Sequence, residues 1–351
     1  VRDQQGRKMS KSLGNSPDPI ELMNQYGADG VRVGMLLTSP AGNDLPFDEK
    51  LCEQGRNFAN KIWNAFRLTQ SWEVDHQVEQ RDSSAQAIAW MKSRVNEVLL
   101  ELDAQFAEFR LSEALMGTYR LVWDDFCSWY LELVKPTYGE PLDAKTYDAT
   151  LELFESILKI LHPFMPFQTE EIWHWIGDRS TPAEALCIAP WPTVGAMDQD
   201  LLVHFETFKQ LVSEVRNVRK ENQIPHRDSL VLHVDSGEGY PASLEAALIK
   251  LCNLSAIEQT KEKVPNSFGF LVGRSSFFIP FGEAVDVDAE KEKIQKEIQH
   301  ITGFLKSVQG KLSNERFVGN APESVVVMER KKESDALSKL DVLNSKLKDL
   351  G

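Results

Sequence analysis

Between Asp48 and about Trp175, apolar residues recur with a helical period of about 3.6. The spacing predicts four long helices, over Glu49–Trp72, Ser84–Phe109, Leu111–Val134 and Thr146–Ile160, and a short fifth over Gln168–Trp175 beyond the Pro163 and Pro166 break. Short linkers favour antiparallel neighbours packed as a bundle. Upstream, residues 1–16 are rich in helix breakers. A short helix is expected from Pro19 to Gly27 with Asp18 as N-cap, then a second from Asp29 to Leu37. Downstream, Leu201–Asn222 has one more amphipathic pattern. After Pro225 the period changes. Leu230–Val234 alternates as a strand does, Ala242–Leu251 reads as helix, and Ser276–Phe281 reads as strand. The final segment carries two heptad seams, Ile294, Ile298, Ile301, Leu305, Val308 and Leu312, then Leu340, Leu343, Leu347 and Leu350, with Gly319 and Pro322 between them. That pattern predicts an antiparallel coiled-coil hairpin whose first arm is about 39 Å long at about 1.5 Å per residue.

The expected fold is therefore mainly α, in four parts. Residues 1–42 form a loop and stem-contact region, 43–197 a helical bundle, 198–285 a small α+β domain, and 286–351 a coiled-coil arm. The 351 residues are 42% hydrophobic and 26% charged, an ordinary globular mixture that excludes disordered and low-complexity classes. No apolar run reaches the roughly 18–20 residues of a membrane span, and the polar start is no signal peptide, so no membrane partner is expected. The chain begins without Met, which suggests a piece of a longer protein. Cys52, Cys127, Cys187 and Cys252 are scattered without a C-x-x-C pair; each is expected to be a buried small hydrophobe in a reducing cytoplasm, with no zinc. The net charge is −14, but residues 287–351 carry +1 against −15 for the rest. A nucleic-acid partner would have to be held by local patches.

The sharpest chemical signal is Lys8-Met9-Ser10-Lys11-Ser12, followed by Leu13-Gly14-Asn15. Two lysines three apart in a Gly- and Ser-flanked loop suit a polyphosphate whose charge grows in a transition state, with hydroxyls and backbone amides adding hydrogen bonds. A second signal lies in the helix around Arg56–Arg67. At roughly 100° per residue, Arg56, Asn60, Asn64 and Arg67 fall within about 80° of one another, opposite Phe58, Ile62 and Phe66. Arg and Asn are the residue types that pair with base edges and unstacked nucleotides. The stretch Leu161–Trp173 reads as packing, with Thr169 or Gln168 capping the last helix and Glu170 and Glu171 in its first turn. His162 reads as a satisfied core or cap residue. Arg216, Arg219 and Lys220 share a face at i, i+3, i+4, and either RNA contact or surface salt-bridging fits them.

The Lys8–Ser12 pentapeptide resembles the KMSKS loop of the class I aminoacyl-tRNA synthetases. The resemblance implies that the loop (Lys8, Met9, Ser10, Lys11, Ser12) binds the phosphates of ATP with Mg2+, Lys11 and Lys8 stabilising adenylate formation. No His-Ile-Gly-His motif, the other half of that family's ATP site, occurs in the chain. The chain is accordingly expected to be a C-terminal portion, inactive alone. Asp44–Lys50, the Arg56–Arg67 helix, the stretch before Ile224-Pro225 and Gly310–Val318 in the arm are similar, in order, to the valyl-tRNA synthetase family. That likeness implies anticodon contacts for Lys50, Asn60, Lys61, Asn64 and Arg67, beside Arg56, Arg216 and Arg219 as candidates. It also implies an arm bracing the outer corner of tRNA(Val), with Lys306, Lys311, Arg316, Arg330, Lys331 and Lys332 as contact candidates. A cytoplasmic monomer acting in valine–tRNA ligation is the expectation. An isoleucyl- or leucyl-type synthetase piece, a non-catalytic tRNA-binding module and a coiled-coil interaction module are the alternatives.

Overall fold

The Asp18 carboxylate accepts the Ile20 N–H at 2.7 Å, and Pro19, with no N–H to leave unpaired, takes the first helical position. These two residues start the first helix of a computed structural model that describes residues 1–3, 5–38, 44–235, 240–280, 287–313, 328–330, 332–333, 336–337 and 340. Helix α1 (Pro19–Tyr26) ends at Gly27 with a φ of 76°, a backbone geometry that favours glycine, and α2 (Ala28–Leu37) follows immediately. Asp48 caps α3 (Glu49–Gln70) through the Lys50 N–H at 3.0 Å. Then come β1 (Val74–Asp75), α4 (Asp82–Ala107) and α5 (Leu111–Arg120). The chain continues without a break through a π-helical stretch, Leu121–Tyr130, into α6 (Leu131–Val134). The single helix expected over Leu111–Val134 thus exists but is widened in its middle. β2 (Leu142–Asp143) pairs in parallel with β1, and α7 (Ala144–Leu161), α8 (Pro166–Ile176) and α9 (Gln199–Glu221) follow.

The chain divides into two compact units, Val1–Phe205 and Glu206–Gly351. The core of the first unit is aromatic-rich. Trp90, Phe58, Phe126, Tyr130 and Phe154 are fully buried, and Trp90 stacks on Phe205 with centroids 3.7 Å apart. Two hydroxyls are buried with their partners supplied: Tyr130 and Thr150 share a hydrogen bond of 2.7 Å, and Thr150 donates to the Thr146 carbonyl. Cys52 and Cys127 are buried as expected, but Cys187 is exposed, because it sits in the irregular segment after α8 rather than on a packed helix face.

Three glycines set the contact between α2 and α3. A Cβ on Gly55 would lie 2.3 Å from the Gly30 carbonyl oxygen, and one on Gly34 would lie 2.6 Å from the Cys52 backbone nitrogen. A Cβ on Gly30 would meet the Arg56 nitrogen at 3.0 Å. The two backbones approach closely because none of the three carries a side chain. Next to this seam, Asp29 reaches across to α8 and accepts the Phe167 and Gln168 N–H groups at 3.3 and 2.7 Å. Burial pushes the Asp29 carboxyl upward, and those N–H donors oppose it. This replaces the expected local cap. Helix α8 starts at Pro166, two residues earlier than its pattern suggested, so Glu170 and Glu171 lie beyond its first turn. Thr169 instead shares a 2.7 Å hydrogen bond with His162 Nδ1, which makes His162 a satisfied structural residue. Arg32 adds bonds to the Pro163 and Phe164 carbonyls, and the Gln168 side chain donates to the Ala59 carbonyl.

In the second unit, β3 (Leu230–Asp235), α10 (Glu245–Cys252), β4 (Leu254–Gln259), β5 (Ser267–Val272) and β6 (Ser275–Pro280) form a sheet of order β4-β3-β6-β5 with the helix connecting β3 to its parallel partner β4. The other pairs are antiparallel. The alternation of β3 and β6 was legible in sequence. β4 and β5 were not, because β4 lies at the sheet edge without alternating burial and β5 carries Gly269. Helix α11 (Val287–Leu312) matches the first predicted arm, and Ile301, Leu305 and Val308 are buried along its seam. Its partner is described in short pieces only. Ala336 is buried, the Gln309 side chain donates to Glu333 at 3.0 Å, and Lys311 lies 3.7 Å from Glu329. Later residues of one arm face earlier residues of the other, so the described parts run antiparallel. Leu343, Leu347 and Leu350 lie outside the described residues.

The seam yields a stability test. Gly55→Ala should cost about 1–3 kcal/mol through overpacking against the Gly30 carbonyl. Asp29→Ala should cost about 1–2 kcal/mol by leaving two helix N–H groups without an acceptor, whereas Asp29→Asn should recover much of that. Urea midpoints of the variants, compared at constant slope, check both.

Candidate functional site

The Lys8–Ser12 loop is held by its flanks rather than by its own lysines. Arg2 bridges to Lys8 on one side and Pro46 on the other, with Arg2 N donating to the Leu45 carbonyl at 2.7 Å and Phe47 N to the Arg2 carbonyl at 2.8 Å. The loop is therefore laced to the segment that leads directly into α3. Asp3 is the inner post: it accepts from Gln5 N, Arg7 N, Arg7 Nε and Asn15 Nδ2 at 2.8–3.0 Å. Asn15 in turn accepts the Ser10 N–H at 2.9 Å and donates to the Lys8 carbonyl at 3.3 Å. Ser10 then caps one 3-10 turn, Lys11–Leu13, closed by Gly14 at a φ of 63°. Lys8, Lys11 and Ser12 are exposed, Met9 and Ser10 half-buried. Among the described residues neither lysine ammonium has an ion-pair or hydrogen-bond partner. The backbone is fixed and the charge is left free, an arrangement able to receive an anion with little reorganisation. Asp3 was missed in sequence; its i, i+4 spacing to Arg7 was the available signal.

On α3, the exposed strip holds Asn57, Asn60, Asn64 and Arg67. Phe58, Ile62 and Phe66 are buried on the far side, as the periodicity required. Lys50 is exposed in the first turn. Arg56 and Lys61 stand at opposite edges of the strip and are partly covered. Arg56 lies 5.6 Å from the Tyr26 ring centre and 3.3 Å from Glu53 Oε1; Lys61 lies 5.5 Å from the Trp123 ring centre. Leu68 is exposed at the strip's end.

Arg219 departs from its expected role. It is 6% exposed, and its guanidinium donates to the carbonyls of Pro225, Asp228, Cys252 and Asn253 at 2.8–3.1 Å. It ties the end of α9 to the loop before β3 and to the end of α10, and its Nε is buried as well, so no donor of Arg219 reaches the surface. Its i+3 spacing from exposed Arg216 put the two on one face in sequence, but the α+β domain folds over that part of the helix. In the arm, Lys306 and Arg330 are exposed, whereas Lys311 and Lys332 flank Glu329, with Lys332 Nζ 2.7 Å from Oε1. The Lys332 hydrogen bond, foremost, holds the Glu329 carboxyl below its usual range. Arg316 and Lys331 lie outside the described residues.

Comparison with known proteins places these parts in order. Residues 1–48 match the family of tRNA synthetases class I (I, L, M and V), residues 89–234 the anticodon-binding domain of tRNA ligase, and residues 286–351 the valyl tRNA synthetase tRNA binding arm. The chain is 51% identical over all its length to a valine--tRNA ligase of Christiangramia forsetii, covering 40% of that protein. It is 49% identical to one of Parabacteroides distasonis over 97% of the chain and 39% of the relative. A Listeria innocua valine--tRNA ligase is 36% identical over 97% of the chain and 40% of the relative. The Lys8–Ser12 loop, the helical bundle and the hairpin arm are thus parts of a class I tRNA synthetase. More narrowly, the chain belongs to the valyl-tRNA synthetase family, and it spans about 40% of the length of the curated relatives it matches.

The loop's scaffold makes a pH prediction. Hydrogen bonding from Asn15, with Arg7 and two backbone N–H groups, brings the Asp3 pKa down to about 2. A depressed carboxylate stabilises the fold fully above its ordinary range near 4 and loses that contribution as pH falls toward about 2. The Ser10 amide, followed by hydrogen exchange, should lose protection across that window, and Asp3→Ala should lack the protection already at neutral pH.

Proposed function

We propose that this chain supplies the phosphate-binding loop and the tRNA-holding surfaces of an enzyme that joins valine to tRNA(Val) through valyl-adenylate. The observation that carries the reading is the pair of ammonium groups, Lys8 and Lys11, that have no partner among the described residues and stand on a backbone held by Asp3 and Asn15. ATP fits this loop by the chemistry of its donors. Two free cations and the Ser12 hydroxyl can meet phosphate oxygens without breaking an existing salt bridge. Mg2+ would arrive with the nucleotide, sharing its phosphate charge. When ATP is bound, the valine carboxylate attacks the α-phosphorus and pyrophosphate leaves; positive charge from Lys11, with Lys8 in support, offsets the charge that grows on the leaving group. Met9 spaces the two lysines, and Ser10 holds the turn that presents Lys11.

The exposed strip Asn57–Asn60–Asn64–Arg67, with Lys50, Lys61 and Arg56 at its edges, is read as the surface for the tRNA anticodon, and Arg216, on the second unit, is read separately as a further RNA contact. Lys306, Lys311, Arg330 and Lys332, beside Arg316 and Lys331, are read as the arm's contacts. The full-length protein acts as a cytoplasmic monomer on this reading, and the chain alone forms no adenylate. No described helix is long and apolar enough to cross a membrane.

Lys11→Ala in the full-length protein should slow valine-dependent pyrophosphate exchange by about 10²–10³-fold, the scale for losing one transition-state donor, with valine affinity little changed. Exchange at the wild-type rate would remove the loop from the chemistry.

A further inference from the structure

The π-helical stretch brings an aromatic surface to one edge of the α3 strip. Trp123 lies parallel to Tyr119, with ring centroids 5.5 Å apart and planes 9° apart, and Phe58 packs under both at 4.5 and 6.3 Å. This backing fixes the indole without burying it; Trp123 remains half-exposed. Among the described residues its indole N–H has no acceptor. The Lys61 ammonium, on a flexible stem, is the group that stands over the ring, 5.5 Å from its centre. At roughly 100° per residue, Asn57, Lys61, Asn64 and Leu68 lie within about 60° of each other, so the exposed amides run alongside the ring. The opposite edge differs. There the Tyr26 ring is buried, its hydroxyl bonded to Glu49 at 2.9 Å, and Arg56 is shared with Glu53. One edge is locked, and the other offers a rigid flat apolar ring, a displaceable cation, a free N–H and free amides.

A planar base needs that combination: a π-face to stack on, a cation for its flanking phosphate, and amide groups for its edge. We propose that Trp123 is the stacking platform for one unpaired nucleobase of the RNA loop held on α3. Lys61 moves from the ring to the adjoining phosphate as the base enters, and Asn57 and Asn64 face the base edge. Trp123 lies within the widened stretch Leu121–Tyr130, and π-helical turns are frequent at functional sites. The proposal rests on the RNA-binding reading of α3 and adds to it a specific base contact.

The test is binding of the whole chain to a tRNA(Val) anticodon stem-loop at fixed salt. Trp123→Ala should weaken binding about tenfold or more, and Trp123→Phe, which keeps a π-face, should stay within about threefold of wild type. Intrinsic fluorescence should be quenched by the RNA in wild type and much less in Trp123→Phe, a readout that a purely structural tryptophan would not give. In a scan of abasic nucleotides through the loop, one position should cost the wild type its stacking and cost Trp123→Ala nothing. Wild-type affinity in Trp123→Ala, with Arg67→Ala still impaired, overturns the platform and leaves the α3 reading standing. Absence of RNA binding by wild type overturns both.

Discussion

Two helix backbones touch at three glycines, and the candidate site depends on that contact. Gly30 and Gly34 on α2 meet Gly55 and Cys52 on α3 at separations that leave no room for a Cβ. The consequence is positional. Helix α3, which shows Asn60, Asn64 and Arg67 to solvent, is held against the helices that follow the Lys8–Ser12 loop. A second tie comes from the short backbone ladder between Arg2 and residues 45–47, which join α3 at its N-terminus. Through both, the loop carrying free positive charge and the strip carrying free amides belong to one packed body.

The protein sorts its cations by whether their hydrogen bonds are spent inside. Arg32 and Arg219 give theirs to main-chain carbonyls, and Arg94 gives its own to Asp125 and Glu97. Desolvation would lower the Arg94 pKa, but the two carboxylates more than restore it, so it stays charged and structural. Lys8, Lys11 and Arg67 have no side-chain partner among the described residues. With a net charge of −14, the long-range field repels an anion, so on the proposed reading these few local groups would have to hold it. Removing Arg219 from the candidate set sharpens that division, since its two terminal nitrogens are held by four carbonyls and its Nε is buried away from solvent.

Much of this was legible from residue spacing because helices bury one stripe and display the other. The Arg56–Arg67 face, the Leu111–Val134 run and the seam through Ile301, Leu305 and Val308 all followed from periodicity. What escaped depended on tertiary partners. Asp29 caps a helix more than a hundred residues away, so no local pattern announces it. The π-helical widening leaves the apolar spacing of Leu121–Tyr130 looking α-helical, so the sequence showed neither it nor the half-exposed Trp123 within it. Arg219 carries the same spacing as an exposed residue and is buried only because the α+β domain folds over it. Strand β5, interrupted by Gly269, lacked the alternation that exposed β3.

The central claim is that one packed body presents an RNA-reading strip, and a binding difference tests it most directly. Affinities of the whole chain for tRNA(Val) and for the same tRNA with an altered anticodon, measured at one salt concentration, should differ by tenfold or more, and Arg67→Ala should shrink that difference by weakening the cognate RNA alone. Equal affinities for the two RNAs, with wild type and Arg67→Ala indistinguishable, would contradict the account.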